Sequence, residues 1–159
     1  TFATPSGKIE IASAVAEAAG GGRVPTSHVD PPQAAHKVRV LSPASEWTLN
    51  TSYGNDPKIR RKFGGLSMII NPADAAHHQI ADGQEVRLRN AVGTIRVRAA
   101  LSRDTLPGVV VVPKGHWPLF EGDAGGNVNA LNPGVATDMG ESSAVHSVEA
   151  ELVVDAPLP

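Results

Sequence analysis

Glycine and proline interrupt this chain too often for long regular elements to form. The 16 glycines and 13 prolines make up nearly a fifth of its 159 residues, and they recur without a fixed period. Such punctuation favours short strands joined by many turns over a helix bundle. Aromatic residues are scarce (Trp 2, Tyr 1, Phe 3). A core must therefore be assembled from Val, Ile, Leu and Ala, which suits a small, tightly curved barrel. A chain of this length fits one compact domain that buries roughly 70% of its unfolded surface.

The apolar pattern fills in this outline. Residues 1–13 read as a short extended piece, and 12–19 as about two helical turns ended by Gly20-Gly21-Gly22. From there to His36 the sequence is rich in proline and glycine, so 1–36 reads as a lead-in and linker and 37–159 as the compact unit. Strands are expected at Val38–Ser42, Leu66–Ile70, Glu85–Asn90, Thr94–Ala100, Val109–Val112 and Val148–Val154. The run Val109–Val112 is apolar on both faces, which predicts burial on both. Asn71 followed by Pro72 and Asp74 opens a short helix as cap, first helical residue and dipole partner. Long loops at 43–65 and 113–147 carry Asn, Ser, Thr and Gly. If both leave the same barrel end, they form a polar cradle for a ligand with many donors and acceptors.

Several kinds of chemistry are excluded or weakened. Acids number 16 and bases 14, a formal net charge of −2, so the basic excess of a nucleic-acid binder is missing. With no cysteine, disulfides, thiolate metal centres and cysteine nucleophiles are ruled out within the chain. No apolar run approaches the roughly 18 residues of a membrane span, and no targeting signal is visible, which leaves a cytoplasmic setting only weakly favoured. The start at Thr1 suggests a piece of something longer. The six histidines contain no His-x-x-x-His pair, and adjacent His77 and His78 diverge on a helix or a strand. His116, in Lys114-Gly-His-Trp117, leaves two readings open, ligand contact and packing. There is no nucleophile elbow and no P-loop. Thr137-Asp138-Met139-Gly140 lacks the paired carboxylate that aspartic-protease chemistry needs. The basic run Lys58–Lys62 reads as a solvated helical face after Asp56-Pro57, with contact to phosphate or an acidic surface as the other reading. Charge is uneven: residues 37–62 carry +4, and 121–155 carry seven acids without Lys or Arg. A ligand between the loops would then meet a positive and an acidic side.

Further motifs fall in one order along almost the whole chain. They are Thr4-Pro-Ser-Gly-Lys-Ile-Glu10, Leu49-Asn-Thr-Ser-Tyr-Gly-Asn55, Asn71-Pro-Ala-Asp-Ala75 with Ile80-Ala-Asp-Gly83, and Asn90-Ala-Val-Gly93. Pro107-Gly-Val-Val110, Gly115-His-Trp117, Asn127-Val-Asn-Ala-Leu131 and Thr137-Asp-Met-Gly140 follow. In this order they resemble the C-terminal molybdopterin dinucleotide-binding domain of the molybdopterin oxidoreductase (dimethyl sulfoxide reductase) family. The resemblance implies a mainly β fold, a six-stranded double-psi β-barrel with short helices and long connecting loops. It also implies a domain that closes over a bis(molybdopterin guanine dinucleotide) cofactor carrying molybdenum or tungsten. Carried over by position, Asn50, Thr51, Ser52 and Asn55 would contact pterin or phosphate. His116 and Trp117 would line the pterin side, and Asn127, Asn129 and Asp138 would reach it from the last loop. Asn amides suit the fused donor and acceptor arrays of pterin and guanine, and neutral groups add no fixed charge beside a redox metal.

The implied partners are upstream catalytic domains of the same polypeptide and, in addition, an electron-transfer subunit. The metal's protein ligand and any iron–sulfur cysteines would belong to those upstream parts, so the isolated chain is expected to lack cofactor and turnover. Two other classes compete. One is a stand-alone pterin-binding subunit such as that of formylmethanofuran dehydrogenase, against which the Thr4–Glu10 lead-in argues. The other is a self-sufficient barrel enzyme, a hydrolase or decarboxylase. Two departures from the family pattern stand out. Thr51 and Ser52 replace the commoner Asn-Ser pairing, and Gln79 stands where the family usually has Gly, so a left-handed backbone there would be strained.

Overall fold

The computed structural model describes residues 1–27, 32–34, 36–122, 126–137, 140–145 and 148–154. By their contacts they divide into two units, Thr1–Pro31 with Val135–Ala144, and Pro32–Gly134 with Val145–Pro159. In the first unit, helix α1 (Ala14–Ala18) is capped by the Ser13 hydroxyl, which accepts from the Ala16 N–H at 3.1 Å. The helix ends at Gly20, whose φ is 84°, and the Gly21 N–H closes it on the Ala16 carbonyl at 2.9 Å. The segment 135–144 in this unit makes a small bridge between Ala136 and Ser143.

The second unit is a closed six-stranded β-barrel. Its strands are β1 (Lys37–Leu41), β2 (Ser67–Ile70), β3 (Glu85–Arg89), β4 (Thr94–Leu101), β5 (Val109–Val111) and β6 (Val148–Val153), in the spatial order β1-β5-β2-β4-β3-β6. Pairs β1–β5 and β2–β4 are parallel, and the other four are antiparallel. The six-stranded barrel expected from the sequence is thus present, with ends moved by a residue or two. Closure removes every free strand edge, so no ladder is left open.

Alternation decides which residues face inward. Val38, Val40, Met68, Ile70, Val86, Leu88, Ile95, Val97, Ala99, Val110, Val148 and Ala150 are all buried, and their neighbours on each strand point outward. Burying each such aliphatic side chain contributes about 1.5–3 kcal/mol. Val109 and Val111 of β5 are only half-buried. The all-valine run is therefore covered on one face rather than both, because the β5 edges are fully paired while its outer face stays partly open.

Polar side chains fix the connections. Helix α3 (Pro72–His77) is capped by Asn71, whose Oδ1 accepts from Ala73 N–H at 2.9 Å while Nδ2 donates to the Thr105 carbonyl at 2.7 Å. Asp74 accepts from the Gly108 N–H at 2.7 Å, which pins the turn before β5 to the same helix. After α3, Gln79 adopts a φ of 57°, and the Ile80 N–H returns to the Ala75 carbonyl at 2.8 Å. The left-handed position conditionally expected at Gln79 is real. At the β3–β4 turn, Asn90 Oδ1 accepts from Val92 and Gly93, and its Nδ2 donates to the Leu131 carbonyl at 2.7 Å. A side chain at Gly93 would collide with the Ala130 carbonyl. The Asn90–Gly93 turn therefore anchors the 3₁₀ turn Val128–Leu131, in the middle of the last long loop.

Candidate functional site

Strands β1 and β5 are parallel neighbours, so the loops that follow them leave the barrel on one side. The condition for a shared cradle is met. The two loops are joined first by backbone. The Lys114 N–H donates to the Pro43 carbonyl at 3.0 Å. Gly115 has a φ of 112°, and a Cβ there would strike the Asn50 carbonyl and lie 2.7 Å from Thr48 Oγ1. Only glycine allows the loops to approach this closely. The first loop in turn holds Asn50 and Tyr53 in left-handed conformations, with φ of 53° and 69°. Asn tolerates that region, whereas a bulky residue such as Tyr rarely occupies it.

Side chains complete the junction. Trp117 Nε1 donates to the Thr51 carbonyl at 2.6 Å. Its ring lies against Gly54, where a Cβ would come within 2.7 Å of Trp117 Cδ1. Behind Trp117, His116 is 3% exposed, stacks on Phe63 with ring centroids 4.0 Å apart, and shares a 2.8 Å hydrogen bond between its Nδ1 and Glu121 Oε1. Phe63 ends helix α2 (Pro57–Phe63), which Asp56 caps through the N–H groups of Lys58 and Ile59. Glu121 lies at the end of helix α4 (Pro118–Glu121), and its Oε2 accepts from the Leu66 N–H at 3.0 Å, just before β2. Burial pushes the Glu121 carboxyl up. The hydrogen bonds from His116 and Leu66 and the charges of His116 and Arg60 pull it down further, so it ends below its ordinary value. One carboxylate thus ties the last loop to the barrel and to the first loop.

Two clefts flank this junction, and Gly115 lines both. The larger, about 470 Å³, is walled by Arg60, Phe63, His116, Trp117, Phe120 and Glu121. There the Arg60 guanidinium sits 3.9 Å from the Phe120 ring centre. The other, about 330 Å³, is lined by Ser42, Asn50, Thr51, Lys114 and Asn129. Nearby, Thr48 Oγ1 is buried without a hydrogen-bond partner among the described residues, an unmet polar group beside the cleft of a kind that usually has an explanation.

The sequence-predicted residues separate into three groups. Asn50, Thr51 and Asn129 meet in the smaller cleft, and His116 and Trp117 meet in the larger. Asn127 caps the 3₁₀ turn, accepting from Asn129 N–H at 2.9 Å and donating to the His116 carbonyl at 3.2 Å, so it positions the loop. Ser52 and Asn55 are exposed and line neither cleft, and Asp138 lies outside the described residues. The His116 ring both packs on Phe63 and lines the larger cleft. The sequence reading passed over Glu121, Phe63, Ser42 and Lys114. The one local signal was the His116-to-Glu121 spacing across Pro118, which folds both onto one side of a single turn. Helix α2 carries the basic run 58–62 on a largely exposed surface, as expected, but turns Arg60 toward Phe120. Several acids of the C-terminal stretch are paired where they are described. Glu149 pairs with Arg39 at 3.3 Å, Glu151 with Arg89 at 3.0 Å, and Glu121 with His116. Among the described residues no group of three or more His, Cys, Asp or Glu side chains could hold a metal, and no helix is long and apolar enough to cross a membrane.

Residues 38–149 match the family described as the Molydopterin dinucleotide binding domain. The chain belongs to this family. Within it, the chain is 32% identical over 149 residues to the "Probable oxidoreductase YoaE" of Bacillus subtilis, covering 94% of this chain and 22% of that protein. It is 33% identical over 152 residues to the "Dimethyl sulfoxide/trimethylamine N-oxide reductase" of Cereibacter sphaeroides, covering 84% and 18%. The chain therefore spans about a fifth of the length of these relatives. Among solved structures, the "Acetylene Hydratase from Pelobacter acetylenicus" has a TM-score of 0.79 at 17% identity, over 94% of this chain and 24% of that one. That likeness concerns the fold. The dinucleotide of the family name fits the residues present: amide and hydroxyl groups around the smaller cleft, an orphaned buried hydroxyl at Thr48, and glycines where a Cβ would fill the space.

Proposed function

We propose that this chain is the cofactor-binding C-terminal domain of a molybdenum- or tungsten-dependent oxidoreductase, closing over a bis(molybdopterin guanine dinucleotide) held jointly with other domains. The observation that carries the reading is the convergence of three segments, 48–54, 114–117 and 127–129, around Gly115. A family match alone says nothing of the binding face, and the two clefts built by those segments support placing it there. When bound, the cofactor supplies a metal centre at which oxygen atoms or electrons are exchanged.

The chain's own residues bind and orient. Asn50 and Asn129 offer an amide donor and acceptor each, which match the mixed edges of pterin and guanine. Thr51 and Ser42 add hydroxyls from the facing wall. Trp117, with its N–H already committed to Thr51, presents its ring as an apolar surface that keeps water from the ligand. His116 and Glu121 hold Trp117 in place from behind. With no cysteine in the chain, any thiolate ligand to the metal would come from the other domains of the enzyme.

Replacing Asn50, Trp117 or Asn129 in the full-length enzyme should lower the molybdenum and pterin content of the purified protein. Normal loading in all three variants refutes the assignment.

A further inference from the structure

We infer that Lys114 recognises the diphosphate of the dinucleotide, and so makes the smaller cleft select the dinucleotide over the monophosphorylated pterin. This rests on the function proposed above and adds to it the part of the ligand that one cleft reads. Among the described residues, Lys114 contributes the only cation to the lining of the 330 Å³ cleft, and no carboxylate lines that cleft with it. Ser42, Asn50, Thr51 and Asn129 are neutral hydrogen-bonding groups. Lys114 is half-buried, and no ion pair engages it among the described residues. Its backbone is fixed by the bond to Pro43 and by Gly115, which no other residue could replace without displacing Asn50. An ammonium held there without a counter-charge, among neutral donors, is suited to an anion that brings several acceptor oxygens.

The larger cleft is less suited to that anion, although it also carries arginines. Arg60 is committed to the Phe120 ring, and Arg61 lines that cleft together with the Glu121 carboxylate. A diphosphate there would share the cleft with a carboxylate. In the smaller cleft it meets one cation and four neutral side chains, a donor set that can surround its oxygens without opposing their charge.

The test uses the full-length enzyme and the variants Lys114→Met, Lys114→Arg and Arg61→Met. Guanine dinucleotide and monophosphorylated pterin are extracted from each purified protein and their ratio is measured. Lys114→Met should lower the dinucleotide preference about tenfold or more, the size of a charge-assisted hydrogen bond, while Lys114→Arg keeps most of it. Arg61→Met should leave the ratio unchanged. An unaltered ratio in Lys114→Met overturns the inference, and a loss in Arg61→Met alone moves the diphosphate to the larger cleft and overturns it as well. A measurement without any substitution covers the case in which Lys114→Met fails to fold. In cofactor-stripped wild-type enzyme, inorganic pyrophosphate should protect Lys114 from amine acetylation, read by mass spectrometry, where chloride at equal ionic strength does not. Equal acetylation in both salts also overturns the inference. Wild-type enzyme that contains no pterin dinucleotide at all would instead sink the proposed function.

Discussion

Removing the Glu121 side chain should cost a large part of the stability of the loop junction. The carboxyl group is 12% exposed and accepts two hydrogen bonds, one shared with His116 at 2.8 Å and one from the Leu66 N–H at 3.0 Å. Glu121→Ala strands both partners in a buried setting, since His116 is 3% and Leu66 5% exposed. Each stranded group costs about 1–3 kcal/mol, and some is returned because the carboxylate no longer has to be desolvated, which leaves a net loss of about 2–4 kcal/mol. With a urea dependence of about 2 kcal/mol per molar, the midpoint should fall by about 1–2 M. Glu121→Gln keeps an acceptor for one partner and should recover part of the loss. The folded carboxyl lies below its ordinary value of 4.5. A depressed carboxylate contributes stability that is full above the unfolded value and fades as the pH drops through the folded one. The gap between wild type and Glu121→Gln should therefore be largest near neutral pH and close below about pH 4.5. Urea titrations followed by far-UV circular dichroism at pH 7 and at pH 3.5 would decide it. A midpoint change under about 0.3 M for Glu121→Ala, or a gap that widens in acid, would refute the reasoning.

Other substitutions probe the backbone. Gly115→Ala should cost about 2–4 kcal/mol and lower cofactor content, because the new Cβ meets both Thr48 and the Asn50 carbonyl at a φ of 112°; unaltered stability and loading would show that the loops can part. Gln79→Gly should raise the melting temperature by about 1–4 °C by relieving the left-handed strain at a φ of 57°, and an unchanged or lower value in calorimetry would contradict it. Asn90→Ala removes the acceptor for Val92 and Gly93 and the donor to Leu131. It should cost about 2–3 kcal/mol and speed hydrogen exchange in residues 128–131; unchanged exchange there would uncouple the turn from the last loop.

The barrel was legible in the sequence because its information is local. Alternating residues such as Val86 and Leu88, or Ile95 and Val97, announce a buried face by themselves, and Asn71-Pro72 and Asp56-Pro57 announce helix starts. Of the residues named from the resemblance, Asn50, Thr51 and Asn129 line the smaller cleft and His116 and Trp117 the larger. What the resemblance could not provide was the division of labour within the loops. Glu121 acts through Leu66, fifty-five residues away, and no periodicity links them. Lys114 looked like part of a glycine-opened turn until the cleft showed what surrounds it. The counted charges did not reveal their pairing for a similar reason: strand register sets Glu149 beside Arg39 and Glu151 beside Lys37, which places two of the acids on the outer barrel wall.

The scarcity of aromatic residues acquires a practical meaning from where they lie. None belongs to the buried core. Apart from Phe2 they are Trp47, Tyr53, Phe63, Trp117 and Phe120, all in the loop segments and short helices beside the clefts. Fluorescence and near-ultraviolet dichroism therefore listen to the loop and cleft segments, while far-ultraviolet dichroism listens to the strands. Ligand release that loosens the loops should dim one signal and leave the other untouched, so the chain separates its own optical readouts for binding and for folding.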